Sequence, residues 1–423
     1  MKKMILPLLL LMISLQGFAT FDNWFTNKTM RVDYYHTGSW DKEFYSIDQV
    51  KSEPVWGGSH TRLIDTLNYG EYYFKAFDVL SGKLIYSHGY CSLFDEWQFT
   101  AEARQTTRTF SETVVMPFPK YDVRIEFYSR NNMGVYDKMF VYTVKVKDYF
   151  ISTEQQMVYP VYDVLVSGDP AKKVDIVILP EGYTAAEIDL FKSDCDKFAA
   201  GLFTFEPYTQ NRDKFNIRAV LAPSLESGTD IPGDKIYKNT ILNSNFYTFD
   251  SDRYLMTTDN KSVRNLAANA PYDQIYILVN SSKYGGGAIY NFYSTSVNSN
   301  ASSAKIFVHE FGHGFAALAD EYDDGSTSFN DMYPLNLEPW EPNITTLVKF
   351  DSKWKGMLAV NTPVPTPPEN STAMQLGVYE GAGYVAKGLY RPTPDCLMRT
   401  FRVDKFCPVC SAAIQKMLDV YTK

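Results

Sequence analysis

The sequence predicts an N-terminal antiparallel β-sandwich followed by a C-terminal α/β domain. Three observations carry this expectation. Aromatic residues make up 15% of the 423 residues, enough for a large core and favourable to strands. Up to about Ile151, apolar and polar residues alternate with a period of two. From about Val161, continuous apolar runs alternate with helical periodicity, the pattern of a sheet covered by helices.

In the first part, Val123, Ile125 and Phe127 face one way while Arg124 and Glu126 face the other. Tyr142, Val144 and Val146 repeat the pattern against Thr143, Lys145 and Lys147. Leu80-Ser81-Gly82 separates two strand-like runs and predicts a hairpin. In the second part, Val174 to Leu179 (VDIVIL) is apolar but for one Asp and fits a buried strand. Thr184 stands three residues before Glu187, a capping box. Ile188, Phe191, Cys195, Phe198 and Leu202 follow at helical spacing. Phe215 to Ala219 and Ile275 to Val279 read as further strands. The Gly-rich stretch from Gly285 to Tyr293 reads either as an edge strand over a cleft or as an ordinary turn. Thr362 to Pro368 is a Pro-rich, exposed loop.

Residues 1–19 are not expected to belong to the fold. Lys2 and Lys3 precede an apolar run, and Gly17 and Ala19 place small residues before a cleavage point. That is the pattern of a bacterial secretory signal peptide, so the mature chain is expected outside the cytoplasm, secreted, periplasmic or on the cell surface. The expected organisation is a signal peptide over 1–19, a β-sandwich accessory domain over 20–151 and a second domain over 152–423. No later apolar run reaches the roughly 18 residues of a membrane span. The net charge of -8 lacks the basic excess of a nucleic-acid binder.

The chemistry is concentrated in His309-Glu310-Phe311-Gly312-His313. On a helix, residues i and i+4 share a face, so both imidazoles can bind one Zn2+. Glu310 can then take a proton from a water polarised by the metal. A helix with two incidental histidines is the alternative, and a chain with only 5 His gives that coincidence little weight.

A catalytic zinc takes three protein ligands. His36, His60 and His88 all lie in the N-terminal part, so a carboxylate is expected as the third. Asp320 and Glu321 are the candidates. Asp320 lies eleven residues beyond His309, about 16 Å along an unbroken helix, so the helix must stop after His313 and the chain must turn back. Metzincins turn this way at a glycine, but Ala316 and Ala319 stand at the corresponding positions here. Asp320 falls one residue late for that pattern, and Glu321 is the alternative. Met398, in Pro394-Asp395-Cys396-Leu397-Met398-Arg399, is a candidate for the apolar floor that a metzincin-like fold places under its metal.

The mature chain carries five cysteines: Cys91, Cys195, Cys396, Cys407 and Cys410. The last three cluster. Three sulfurs fall short of the four ligands of a structural zinc, and outside the cytoplasm a disulfide from Cys396 to Cys407 or Cys410 is favoured over a metal.

With VDIVILPEGYT (Val174 to Thr184), HEFGHGFAALADEY (His309 to Tyr322) and YEGAGY…YRPTPDCLMR…FCPVC (Tyr379 to Cys410), the chain resembles the bacterial IgA-peptidase-like zinc metallopeptidases. LFDEWQFTAEA (Leu93 to Ala103), Arg108 to Phe110 and Pro117 to Lys120 extend the resemblance into the N-terminal part. The resemblance implies a secreted zinc endopeptidase with a metzincin-like peptidase domain after a β-sandwich. It also implies His309, His313 and Asp320 as zinc ligands and Glu310 as catalytic base. Its implied partners are protein or peptide substrates, with host immunoglobulin and mucosal proteins among them. Two alternatives stand beside it: an inactive peptidase fold used for binding or adhesion, and a cell-wall amidase with the same zinc chemistry. An intact Glu310 favours the enzyme.

Overall fold

The computed structural model describes residues 20–323, 332–369 and 371–423. The expected signal peptide lies outside the described residues.

Residues 20–144 carry seven strands: β1 (Phe25–Ser39), β2 (Lys42–Glu53), β3 (Tyr72–Asp78), β4 (Leu84–Tyr90), β5 (Arg108–Pro119), β6 (Val123–Arg130) and β7 (Tyr136–Val144). They form two antiparallel sheets, β2-β1-β5 and β4-β3-β6-β7. Aromatic side chains join the sheets: the ring of Tyr34 on β1 meets Phe127 on β6 with centroids 5.1 Å apart. The expected hairpin is β3-β4. Two short helices accompany these strands, α1 (Phe21–Trp24) and α2 (Leu93–Gln98). Ser92 caps α2, and Asp95 returns the bond to the Ser92 N–H at 2.7 Å.

The second part has a six-stranded sheet in the order β12-β13-β11-β9-β10-β8. Its strands are β8 (Val161–Leu165), β9 (Val174–Glu181), β10 (Phe215–Val220), β11 (Gln274–Val279), β12 (Gly286–Ile289) and β13 (Tyr293–Val297). The inner strands pair in parallel, and β8 and β12 pair antiparallel at the edges. Helices α3 (Ile188–Leu202), α4 (Asn260–Ala267), α5 (Ser303–Ala316) and α6 (Pro408–Thr422) accompany it, with a hairpin of β14 (Tyr379–Ala382) and β15 (Val385–Arg391).

Every residue of β9 is buried, as its apolar run requires. The one Asp is compensated: Asp175 accepts from Arg218 Nη1 at 2.6 Å and from Asn216 Nδ2 at 3.1 Å. Glu181 ends the strand with its carboxylate taking bonds from Thr240 Oγ1 and from the Leu242 and Ser244 N–H groups. Those three bonds tie down the loop between β10 and α4, which carries Arg253 and Tyr254 toward the sheet edge. Gly286 to Ile289 of the Gly-rich stretch is strand, the outermost of the sheet.

The two parts are not independent. One continuous apolar cluster includes Phe74, Trp97 and Phe110 from the first and Ile277, Phe307 and Phe311 from the second. Hydrogen bonds cross the seam. The Cys91 N–H donates to Tyr290 O at 3.0 Å, Arg31 Nη1 to Asn265 Oδ1 at 2.8 Å, and Trp340 Nε1 to Glu71 Oε1 at 2.6 Å. Period-two alternation reports which face of a strand is buried, not what covers it, so the sequence does not reveal this union.

Candidate functional site

Helix α5 holds the HExxH residues. Ile306, Phe307, Val308, Phe311 and Phe315 are buried and fix its rotation against the core. His309 and His313 then emerge on one face, a turn apart, as the spacing requires. The helix ends at Ala316, and Ala317 adopts a left-handed conformation (φ 58°, ψ 30°). Its N–H bonds to His313 O, and the next N–H, of Leu318, bonds to Gly312 O. This reversal brings Asp320 back over the helix.

The three side chains converge. His309 Nε2 and His313 Nε2 are 3.1 Å apart, and Asp320 Oδ1 lies 3.2 Å and 3.3 Å from them. The tautomers follow from the other ring nitrogens. His309 Nδ1 faces Leu397 O at 3.0 Å, and His313 Nδ1 faces Leu318 O. A carbonyl oxygen only accepts, so both Nδ1 atoms carry hydrogen. In the neutral rings both Nε2 lone pairs then point at each other and at a carboxylate oxygen that is buried without a hydrogen-bond donor. Three converging lone pairs repel unless a proton or a metal cation sits among them. The spacing suits zinc: N and O ligands at 2.0–2.1 Å in a tetrahedron lie about 3.3 Å apart. Burial lowers the His313 imidazole, yet the adjacent Asp320 carboxylate pushes it up to about 9. Beside His313 and His309, Asp320 stays well below the usual carboxylate range despite its burial. Both shifts mark a site that attracts positive charge.

Glu310 points to the sheet edge. A Cβ on Gly286 of β12 would lie 2.8 Å from Glu310 Oε1, so the absence of a side chain at 286 lets the carboxylate pack against the strand. Burial pushes the Glu310 carboxyl above its ordinary value. Asp320 Oδ2 accepts a bond from Tyr384 Oη at 2.6 Å. Met398 is fully buried, and its sulfur would lie 3.1 Å from a Cβ on Gly312, between the two histidines.

His309, Glu310, His313, Asp320, Gly286 and Tyr384 line a cleft of about 410 Å³. Its other wall is not peptidase-side sequence: Glu71, Asp95, Glu96, Phe99 and Arg130 come from the N-terminal part. Tyr254 Oη donates to Glu96 across the cleft, and burial pushes the Glu96 carboxyl up to about 7. The part expected to be an accessory domain therefore lines the cleft. The sequence reading missed Glu96, Arg253, Tyr254 and Tyr384. A signal for α2 existed in Ser92-x-x-Asp95 before an apolar run, but nothing local placed that helix at the cleft.

Glu321 turns away from this cluster. Its Oε1 lies 3.1 Å from Cys410 Sγ, and Cys396, Cys407 and Cys410 gather around it. All five cysteines are free thiols, with Cys396 Sγ and Cys410 Sγ 3.8 Å apart. At that separation the two sulfurs are not bonded, unlike the expected disulfide. The other histidines stay in the N-terminal sheets and loops: His36 is buried between Glu43 and Glu112, and His60 stacks on Phe21.

Comparison with known families agrees with this geometry. The family described as IgA Peptidase M64 matches residues 162–372 and 368–418, and the Peptidase M64 N-terminus matches residues 20–141. The chain belongs to the IgA Peptidase M64 family. It is therefore a peptidase, and the HExxH helix, the reversal to Asp320 and the Cys-rich C-terminal segment all fall inside the matched span. Comparison with curated proteins finds no match. Among the described residues no helix is long and apolar enough to cross a membrane.

Proposed function

We propose that this peptidase is a secreted, zinc-dependent endopeptidase with a metzincin-like active site. His309, His313 and Asp320 are its zinc ligands and Glu310 its general base. The observation that carries the reading is the convergence of two imidazole Nε2 atoms and one carboxylate oxygen at 3.1–3.3 Å, with both Nδ1–H groups already used on carbonyls.

Bound zinc supplies Lewis acidity at the scissile carbonyl and acidifies a water toward neutrality. The protein residues do the rest. Leu397 O and Leu318 O hold the rings in the one tautomer that presents Nε2 inward. Tyr384 holds Asp320 through its second oxygen. Glu310, with its raised pKa, accepts the proton of the attacking water and returns it to the leaving amine. Gly286 lets that carboxylate lie against β12; the Gly286 N–H and C=O pair with Arg253 and Leu255, and the edge beyond it is where an extended peptide can pair. Met398 gives the metal an apolar floor. Glu96 and Arg130 bring the N-terminal part to the opposite wall, where it contributes to substrate selection.

The expected organisation of a leader over 1–19, an accessory domain over 20–151 and a peptidase domain over 152–423 belongs to this proposal. Zinc analysis of the mature protein together with a peptide-library digest tests it. Zinc-dependent cleavage within peptides, abolished in His309→Ala, is the expected result. A protein that binds zinc but cleaves nothing would move the inactive binding reading ahead, and cleavage of cell-wall peptides alone would favour the amidase.

A further inference from the structure

We propose that Cys396, Cys407, Cys410 and Glu321 form a second zinc site, structural rather than catalytic, that locks the two loops supporting the cleft ligands. The four donors are fully buried, and their ligand atoms lie within 4.8 Å of one another. Cys396 Sγ and Cys410 Sγ are 3.8 Å apart, and two sulfurs at 2.3 Å from a tetrahedral zinc stand about 3.8 Å apart. Glu321 Oε1 lies 3.1 Å from Cys410 Sγ. Four protein donors leave no open position, as in a structural site.

Backbone N–H groups reach two of the sulfurs. The Cys407 N–H donates to Cys396 Sγ at 3.2 Å, and the Cys410 N–H to Cys407 Sγ at 3.4 Å. Cys407 caps α6, and Cys410 sits in its first turn, at the end of the helix where the dipole favours negative charge. Asn343 holds the fourth donor in place. Its Nδ2 donates to Glu321 Oε1 at 3.0 Å and to Ala319 O at 2.9 Å, and its Oδ1 accepts from the Ala319 N–H at 2.7 Å. The other carboxylate oxygen, Glu321 Oε2, is buried with no hydrogen-bond partner. A disulfide between Cys396 and Cys410 would leave that oxygen and Cys407 unaccounted for. A divalent cation satisfies all four groups, and sulfur-rich tetrahedral sets select zinc among the divalent metals.

The site reaches the cleft through the backbone. Cys396 precedes Leu397, whose carbonyl holds His309. The Glu321 N–H bonds to Met398 O at 2.8 Å, and Asp320 precedes Glu321. One ion thus ties the segment beneath His309 to the segment carrying Asp320.

The test separates this site from the cleft. The mature, full-length His309→Ala/His313→Ala protein, loaded with zinc and desalted, should keep one zinc per chain, and adding Cys407→Ser/Cys410→Ser should remove it. Should the cysteine variant fail to fold, cobalt(II) loading of the His variant decides: a thiolate-to-cobalt charge-transfer band supports the site. Denatured without reductant in chelator, the unsubstituted chain should show all five thiols. Three thiols would mean a disulfide and overturn the proposal, as would a His variant with neither zinc nor a charge-transfer band. A wild-type chain whose only zinc survives the His substitutions would sink the cleft reading and leave this one standing.

Discussion

Asp320 and Glu321 are adjacent in the chain, yet their carboxylates enter different clusters. Asp320 Oδ1 lies 3.2 Å from His309 Nε2, while Glu321 Oε1 lies 3.1 Å from Cys410 Sγ. The two side chains leave one stretch after the helix in different directions, so that stretch serves both clusters. Asp320→Ala should weaken zinc in the cleft by more than the roughly 10–100-fold cost of losing an outer-sphere partner, and abolish activity. Zinc titration against a competing chelator reads this directly. Unchanged cleft affinity would remove Asp320 from the ligand set.

Glu310→Gln should keep the zinc and lower kcat by about 10²–10⁴. The amide is nearly isosteric, so the helix and both imidazoles stay in place, but it does not accept the proton of the attacking water. In the proposed role Glu310 acts in the chemical step, so the loss belongs in kcat. Near-wild-type turnover would contradict the general-base role.

Gly286→Ala probes the packing of the base. The added Cβ would meet Glu310 Oε1 at 2.8 Å, Ile306 Cγ2 at 2.9 Å and Thr295 O at 3.0 Å. The carbonyl and the isoleucine are held by sheet and helix, so the Glu310 side chain gives way. A displacement near 1 Å costs on the order of 10²-fold in rate. The expected result is a kcat lowered at least about tenfold with zinc content unchanged. Full activity would show that Glu310 does not depend on the bare strand.

Glu96 links pH to stability. Burial holds its carboxyl at about 7, above the ordinary 4.5. A raised folded-state pKa means that the folded chain favours the protonated form. The stability it contributes is complete below about 4.5 and is lost as pH rises through about 7. Glu96→Gln mimics the neutral form at every pH. The Tm of the variant should therefore gain on wild type between pH 5 and 8. A Tm difference constant across that range would show that Glu96 does not titrate there.

How much of this was legible in the sequence depends on the range of the interactions. His309, Glu310 and His313 are separated by less than two helical turns, so spacing alone places them together. Asp320 required a reversal, and the sequence showed only that one must exist. Glu321 could not be separated from Asp320, because the direction of two neighbouring side chains is decided by Asn343 and the cysteines, residues far away in the chain. The union of the two halves at Glu96 and Tyr254 left no trace in periodicity. Those residues meet through loops whose paths depend on anchors such as Glu181.

Ala317 stands where the chain reverses, in a left-handed conformation (φ 58°) that usually calls for glycine. That conformation costs a non-glycine residue roughly 1–2 kcal/mol. Two terms oppose a glycine there. Glycine loses more backbone freedom on folding, about 0.5–1 kcal/mol. The Ala317 methyl is also buried in the core, at 1% exposure, and a buried methyl is worth about 0.8 kcal/mol. The terms nearly cancel, which explains why alanine can hold this turn. Ala317→Gly should therefore change stability by no more than about 1 kcal/mol and keep both zinc and activity. Ala317→Val should behave differently. A β-branched residue is a severe outlier in this conformation, and at 1% exposure its extra methyls would enter the packed core. The turn should open, carrying Asp320 away from the histidines. Thermal denaturation with zinc analysis of both variants checks this. A valine variant with wild-type zinc affinity would show that Asp320 is positioned by something other than the reversal at Ala317.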